Sequence, residues 1–243
     1  PTPIVDTMTE HILVSNLSFR YPDGRAALRD VSLAIARGEK VGLVGHNGAG
    51  KSTLLLHLIG ILRGQGVVRI DGLELAEDNV RRIRAKVGLV FQDPNDQLFS
   101  PTVFDDVAFG PLQMGLSEDE VLARTAAALA KVGMSGYAQR MPHHLSLGEK
   151  KRVSIATVLS MEPAILALDE PTAGLDAQAR QELIALLRRL SQTILIATHD
   201  LDLVRSVCDR AVILAAGRVV ADLRPEELAE HEALLYPEAV PPR

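Results

Sequence analysis

Residues 45–53 read Gly45-His46-Asn47-Gly48-Ala49-Gly50-Lys51-Ser52-Thr53. The spacing of Gly45, Gly50, Lys51 and Ser52 is that of a phosphate-binding loop, G-x-x-x-x-G-K-[ST]. A buried-strand pattern precedes it, Val41-Gly42-Leu43-Val44, and an apolar helical run over 54–62 comes after it. Strand, glycine loop and helix are the parts such a site needs. Gly48 and Gly50 let the backbone curl so that its N–H groups converge on phosphate oxygens. The helix opening near Lys51 adds the positive end of its dipole. Lys51 is expected to reach the β- and γ-phosphates of a nucleotide, and Ser52 to ligate Mg²⁺.

The rest of the chain supplies a frame for that loop. Before it, 12–14, 17–21 and 31–36 are short, partly alternating stretches with a turn at Pro22-Asp23-Gly24, so three strands are expected. After it, 67–70, closed by Asp71-Gly72, and 87–91, bounded by Asp93-Pro94, read as strands. Residues 103–109, 118–132 and 148–160 carry helical spacing. A buried strand returns at 164–168, then a helix at 177–190, a strand at 193–197 and a helix at 201–207. Strands at 211–214 and 218–221 come next, and Pro225 opens a last short helix. Strands alternating with helices imply a mostly parallel, covered sheet. The helical run between 102 and 160 reads as a subdomain inserted into that α/β core.

Composition narrows the function. The 243 residues carry a net charge of −5 with both signs mixed throughout, which argues against an unspecific nucleic-acid binder. No apolar run approaches the 18 residues or so that a bilayer span needs. The first ten residues are polar and lack an apolar signal core, and 1–10 is expected to be an N-terminal extension or cloning scar with Met8 as the native start. The lone Cys208 cannot form an internal disulfide, which fits a reducing compartment.

Further along, Ala164-Ile165-Leu166-Ala167-Leu168-Asp169-Glu170 is a buried strand ending in two carboxylates. Asp169 is the expected Mg²⁺ partner, through water, opposite Ser52. Side chains alternate along a strand, so Glu170 points elsewhere and is the candidate for polarising an attacking water. His199 comes after another buried strand; it fits a γ-phosphate or water contact, or a purely structural role. Gln92, after the strand at 87–91, reads equally as a ligand near Mg²⁺ or as a turn residue. Ser146 and Glu149 satisfy a capping box for the helix that begins there, while Ser146 and Gly148 at a helix N-terminus also form an anion surface. Tyr21, one of eight aromatics, fits adenine stacking or a half-buried place in a sheet.

Taken in order, these residues resemble the nucleotide-binding subunit of ABC transporters over about residues 11–222. The resemblance pairs Tyr21 with the adenine-stacking aromatic, residues 45–53 with the Walker A loop and Gln92 with the Q-loop glutamine. It pairs 145–149 with the signature, 165–169 with Walker B, Glu170 with the catalytic glutamate, Ala173-Gly174-Leu175-Asp176 with the D-loop, and His199 with the switch histidine. The usual signature is Leu-Ser-Gly-Gly-Gln; here Leu147 and Glu149 depart from it, while Ser146 and Gly148 are kept. The implied fold is a P-loop NTPase of the ABC type. It is an α/β domain over 11–224 with a mostly parallel core sheet, an N-terminal antiparallel β-subdomain, an inserted helical subdomain and a tail over 225–243. The implied cofactors are ATP and Mg²⁺. Two copies, or two related chains, would close head to tail around two ATP molecules. Each ATP would sit between 45–53 of one chain and Ser146, Gly148 and Asp176 of the other.

Phe91-Gln92-Asp93-Pro94-Asn95-Asp96-Gln97-Leu98-Phe99, then Thr102-Val103-Phe104-Asp105-Asp106-Val107-Ala108-Phe109-Gly110-Pro111, is similar to energy-coupling-factor ATPases. The flanks Ser100-Pro101 and Gly110-Pro111-Leu112, with 148–153, are most similar to their cobalt/nickel importer branch rather than the vitamin branch. In that family the segment after the Q-loop, here 92–111, grips a coupling helix of the membrane protein. The resemblance thus implies a peripheral subunit at the cytoplasmic face of the cell membrane, working with an integral coupling protein and a metal-binding membrane subunit, with no nucleic acid. A vitamin importer keeps the mechanism and changes the cargo. A soluble ABC ATPase of translation or repair fits less well: there is one such domain, and only 95 residues separate Lys51 from Ser146, leaving no room for a long coiled coil.

Overall fold

The structure, a computed structural model, describes residues 10–235. The expected native start at Met8 and the last eight residues of the tail lie outside the described residues. The chain runs β1 (Glu10–Arg20), β2 (Ala26–Ala36), β3 (Lys40–Val44), α1 (Lys51–Leu58), β4 (Gln65–Ile70), β5 (Leu73–Glu74), α2 (Glu77–Arg84) and β6 (Val87–Val90). It continues through α3 (Val103–Gln113), α4 (Glu118–Lys131), α5 (Leu147–Leu159), β7 (Ile165–Asp169), α6 (Ala177–Arg189) and β8 (Thr193–Thr198). Then come α7 (Leu201–Val207), β9 (Arg210–Ala215), β10 (Arg218–Leu223) and α8 (Glu232–Leu235), with a 3₁₀ turn at Pro225–Ala229.

Two sheets form. One is antiparallel, in the order β2-β1-β4-β5; the other has the order β10-β9-β3-β8-β7-β6, parallel except for β10. The central strands are covered on both faces, which is why they read as unbroken apolar runs. Alternation along them sorts side chains into two cores. Ile165, Ala167, Leu195 and Ala197 face α1 and the antiparallel sheet, while Leu166, Leu168, Ile194 and Ile196 face α3, α5 and α6.

Several elements differ from the sequence reading: β2 starts at Ala26, α1 ends at Leu58, and the short strand β5 was not expected. The stretches at 12–14 and 17–21 are one strand, β1, because Asn16 takes φ +51° at a register shift and the ladder resumes beyond it. Helix α2 was not anticipated: its eight residues hold only two apolar ones, Val80 and Ile83, among five charged ones, and only Ile83 is buried. Helix α3 runs through Pro111 to Gln113 instead of stopping at 109. Proline has no N–H to bond the Val107 carbonyl four residues back. The Ser160 hydroxyl reaches that carbonyl instead, at 2.8 Å, sharing its one proton between it and the Thr157 carbonyl at 2.9 Å.

Candidate functional site

Strand order builds the site. β3, β8 and β7 are adjacent and parallel, with Val44 paired to Thr198 and Asp169 to Ala197. Their carboxyl ends are therefore level, and three segments meet at one edge: the glycine loop after β3, His199 after β8, and Asp169-Glu170 at the end of β7. Ligands of open α/β sheets bind at such an edge. Gly45 and Gly50 are required there: a Cβ at Gly45 would lie 2.2 Å from the Leu214 carbonyl oxygen, and Gly50 holds φ +110° against the Ala27 carbonyl.

A cleft of about 220 Å³ gathers Tyr21, Asn47, Gly48, Gly50, Lys51, Ser52, Thr53, Gln92, Asp169 and Glu170, from separate places in the chain. Lys51 is 6% exposed; its Nζ donates to the carbonyls of Gly45 (2.8 Å) and His46 (3.3 Å) and lies 3.3 Å from Glu170 Oε1. The other Glu170 oxygen, Oε2, accepts from the Thr198 hydroxyl at 3.0 Å and lies 3.0 Å from His199 Nδ1. Glu170 itself takes φ +42°, a left-handed conformation that costs on the order of 1–3 kcal/mol in a residue with a side chain. Its main-chain N–H still bonds the Ala197 carbonyl, at 2.8 Å, so the strain is held by the sheet.

Asp169 faces a different partner, as strand alternation requires. Burial raises the pKa of its carboxyl, and a hydrogen bond from Ser52 opposes that rise. Its Oδ1 is buried with no hydrogen-bond partner among the described residues. A buried carboxylate oxygen left unsatisfied beside a serine hydroxyl is the oxygen donor set that Mg²⁺ takes, so the residues present fit that ion. Gln92 borders the same cleft. His46 and His199 line an adjoining hollow with Gly45, Asn47 and Leu235. The Tyr21 hydroxyl lies 3.1 Å from Thr53 Oγ1, and its ring borders the cleft with the Arg25 guanidinium over it at 5.0 Å.

Ser146, Gly148 and Asp176 are not brought to this cleft. Ser146 caps α5: its Oγ accepts from Glu149 N–H at 3.3 Å, and Glu149 Oε2 accepts from Ser146 N–H at 2.8 Å. That return bond from the Ser146 backbone, ahead of bonds from the Tyr137 and Ser146 hydroxyls, holds the Glu149 carboxyl below its usual range. Asp176 caps α6 through Ala179 N–H, at 2.8 Å. A Cβ at Gly148 would lie 2.8 Å from Ala179 Cβ, so this glycine lets the first turns of α5 and α6 touch. The two segments form one exposed ledge, separated from the nucleotide cleft by an open groove of about 600 Å³ that Gln92 and Asp169 border from the far side.

Two residues at the site escaped the sequence reading. Arg25 lies in the turn after Tyr21, where nothing but proximity to that ring marks it. Lys151 is 5% exposed, and its Nζ donates to the carbonyls of Gln92 (3.1 Å) and Glu170 (2.9 Å), tying α5 to both edges of the cleft. Burial lowers its pKa. Its place on the stripe Lys151, Ile155, Val158 of α5, otherwise buried and apolar, was the available signal.

The model of the ABC transporter family matches residues 28–173, from within the second strand to just past the paired carboxylates. The chain belongs to the ABC transporter family. It is an ATP-binding, ATP-hydrolysing subunit of the energy-coupling-factor type. It is 50% identical over 230 residues to the energy-coupling factor transporter ATP-binding protein EcfA of Methanothermobacter thermautotrophicus, covering 92% of this chain and 74% of that one. The EcfA of Carboxydothermus hydrogenoformans is 51% identical over 233 residues, covering 92% and 86%. Among solved structures, cbiO1 from Clostridium perfringens, part of the ABC transporter complex cbiONQ, superposes with a TM-score of 0.84 at 41% identity over 92% of each chain. The dimeric post-hydrolysis state of the ATP-binding cassette MJ0796 bound to ADP and Pi gives a TM-score of 0.78 at 30% identity, over 88% of this chain and 98% of that one.

Proposed function

We propose that this ATPase powers uptake of a transition-metal ion, Co²⁺ or Ni²⁺, as one of two ATP-binding chains at the cytoplasmic face of a membrane complex. The observation that carries the reading is the split site. The cleft of one chain holds Lys51, Asp169 and Glu170 with His199 beside them, while the second anion surface, at Ser146 and Gly148, lies apart from it. A second chain turned head to tail brings its own Ser146–Gly148 ledge, with Asp176, over the γ-phosphate. The loop amides and Lys51 neutralise the phosphates, and Tyr21 stacks on adenine. Ser52 and Asp169, with Gln92 beside them, would hold Mg²⁺, which would supply charge neutralisation to the phosphates. Glu170 takes the proton of the attacking water as its oxygen bonds to the γ-phosphorus and the β–γ bridging P–O bond breaks. His199 holds Glu170 and the γ-phosphate in register. Loss of the γ-phosphate removes the link between the two chains, and they part.

The membrane partner meets residues 92–111. Phe99 is 68% exposed and Phe109 46%, their rings edge to face at 5.5 Å, with Leu112 55% exposed close by in the same helix as Phe109. The buried carboxylate of Asp106 fixes Phe99 by accepting from the N–H groups of Phe99 and Ser100. Apolar side chains held out to solvent in this way suit the insertion of a coupling helix. The likeness to cbiO1 supports a metal-ion cargo. No described helix is long and apolar enough to cross a membrane, so the path for the ion is assigned to partners. Gentle extraction of native membranes through a tag on this chain, with mass spectrometry of what co-purifies, tests the reading. A polytopic coupling protein and a small metal-binding membrane subunit are expected. A vitamin-binding subunit would change the cargo, and recovery with ribosomes or DNA would overturn transport.

A further inference from the structure

A second cleft, of about 660 Å³, opens beside the nucleotide site and belongs to no step above. It lies over the paired end of β1 and start of β2, bordered by Gly64-Gln65 and by Arg218 at the start of β10. Four arginines are among the residues that line it, Arg20, Arg29, Arg63 and Arg218, with a single acidic residue, Asp30. That carboxylate is turned to Asn16, whose Nδ2 donates to it at 2.8 Å. Arg63 is paired with Glu77 at 2.8 Å, and Arg20 donates to the Gly24 carbonyl. Arg29 and Arg218 are exposed and have no side-chain partner among the described residues. The chain as a whole has more carboxylates than cations, 31 against 26, yet gives this cleft one. Four cations outnumber the two carboxylates near them, Asp30 and Glu77, and an anion from outside relieves the repulsion that remains. Guanidinium forks match phosphate oxygens two at a time. The volume is that of a small-molecule site, and Phe19, Ala26 and Leu28 give it an apolar wall.

We propose that this cleft binds a multiply phosphorylated small molecule, held chiefly by Arg29 and Arg218, and that its occupancy tunes ATP binding. The two clefts share a wall. Ala26 lines both, and Phe19 sets its ring edge-on to Tyr21 at 5.0 Å; Tyr21 in turn meets Thr53. An anion bridging Arg29 of β2 and Arg218 of β10 pulls on β2 and, through the β1–β2 ladder, on Phe19, and so shifts the Tyr21 ring at the second cleft.

Isothermal titration of inorganic tripolyphosphate into the full chain, with the glycine loop saturated by ADP and free Mg²⁺ held constant, tests the site. One tripolyphosphate per chain is expected, bound at least tenfold more weakly by Arg29→Ala/Arg218→Ala, a variant that keeps wild-type ATP turnover without the anion. Arg188→Ala/Arg189→Ala, which removes two exposed charges at the end of α6, is expected to bind like wild type. No binding event, equal affinity in the first variant, or an equal loss in the second overturns the site. For the coupling, competition at the glycine loop raises the KM for ATP equally in wild type and in Arg29→Ala/Arg218→Ala. A further KM change of at least twofold in wild type alone is expected, and identical KM responses overturn the coupling. Each readout stands whatever the transported cargo.

Discussion

On the proposed reading, Glu170 concentrates the chemistry of the chain in one side chain. Its two oxygens are divided between Lys51 and the Thr198–His199 pair, in a backbone conformation that the neighbouring strand holds in place. Glu170→Gln keeps the shape and removes the proton acceptor. Steady-state turnover is expected to fall by about 10²–10⁴-fold while ATP affinity, read by equilibrium dialysis, stays near wild type. Turnover within about threefold of wild type would take the general-base role from this residue. One position after the histidine, Asp200 anchors the loop: it accepts two bonds from Arg180 (2.9 and 2.6 Å), one from the Thr172 hydroxyl and one from Leu203 N–H. Burial alone would raise its pKa, but these bonds outweigh it and bring the value down from 3.8 to about 2. A depressed folded-state pKa stabilises above the unfolded value and loses that contribution as pH falls through the folded one. Asp200→Asn is therefore expected to cost about 2 kcal/mol at pH 7. The difference in urea midpoint should hold constant down to about pH 4 and shrink only below it. A difference already closing between about pH 7 and pH 5 would assign the effect to another group.

Packing between elements is close where β3 meets α7. A Cβ at Gly42 would lie 2.6 Å from Val204 Cγ1, so the bare backbone of β3 is what lets this helix sit close. Gly42→Ala is expected to destabilise by about 1–3 kcal/mol in urea titration, and Val204→Ala in the same chain to restore part of it. Additive losses in the double variant would show that the two side chains do not compete for one space. The same contact seats α7, and with it Asp200 and His199, so packing in the strand ahead of the glycine loop bears on the other half of the site. Helix α5 does comparable work at its start: the Ser146–Glu149 cap fixes where it begins, and Lys151, about one turn on, ties it to Gln92 and Glu170.

The molecule as a whole carries two half-sites in different places, and on the proposed reading this arrangement makes association depend on nucleotide. In light scattering, Glu170→Gln with ATP and Mg²⁺ is expected to show twice the mass of a single chain, and to return to one chain when Ser146→Arg is added. A dimer that persists with Ser146→Arg, or one that forms as well without ATP, would remove the shared site. On the same reading, opening and closing of such a pair is a rigid-body motion that the Phe99–Phe109 patch would pass to the membrane partner.

Much of this is legible along the chain itself. The glycine loop, the carboxylates ending a buried strand and the alternation of strand with helix are local patterns. Each is imposed by its own chemistry: glycine where the backbone must turn under phosphate, apolar runs where a strand is covered on both faces. The Ser146–Glu149 cap is local in the same sense, since all its bonds lie within one turn. What spacing could not give was partnership across the chain. That Ser160 stands in for the N–H missing at Pro111 depends on a hydroxyl far along the sequence, so α3 looked shorter than it is. That Lys151 is buried, and that Arg29 and Arg218 share a cleft, depends on which elements the sheet order sets side by side. Motif chemistry is written in neighbours along the sequence; the charges a site leaves unpaired are decided by neighbours in space.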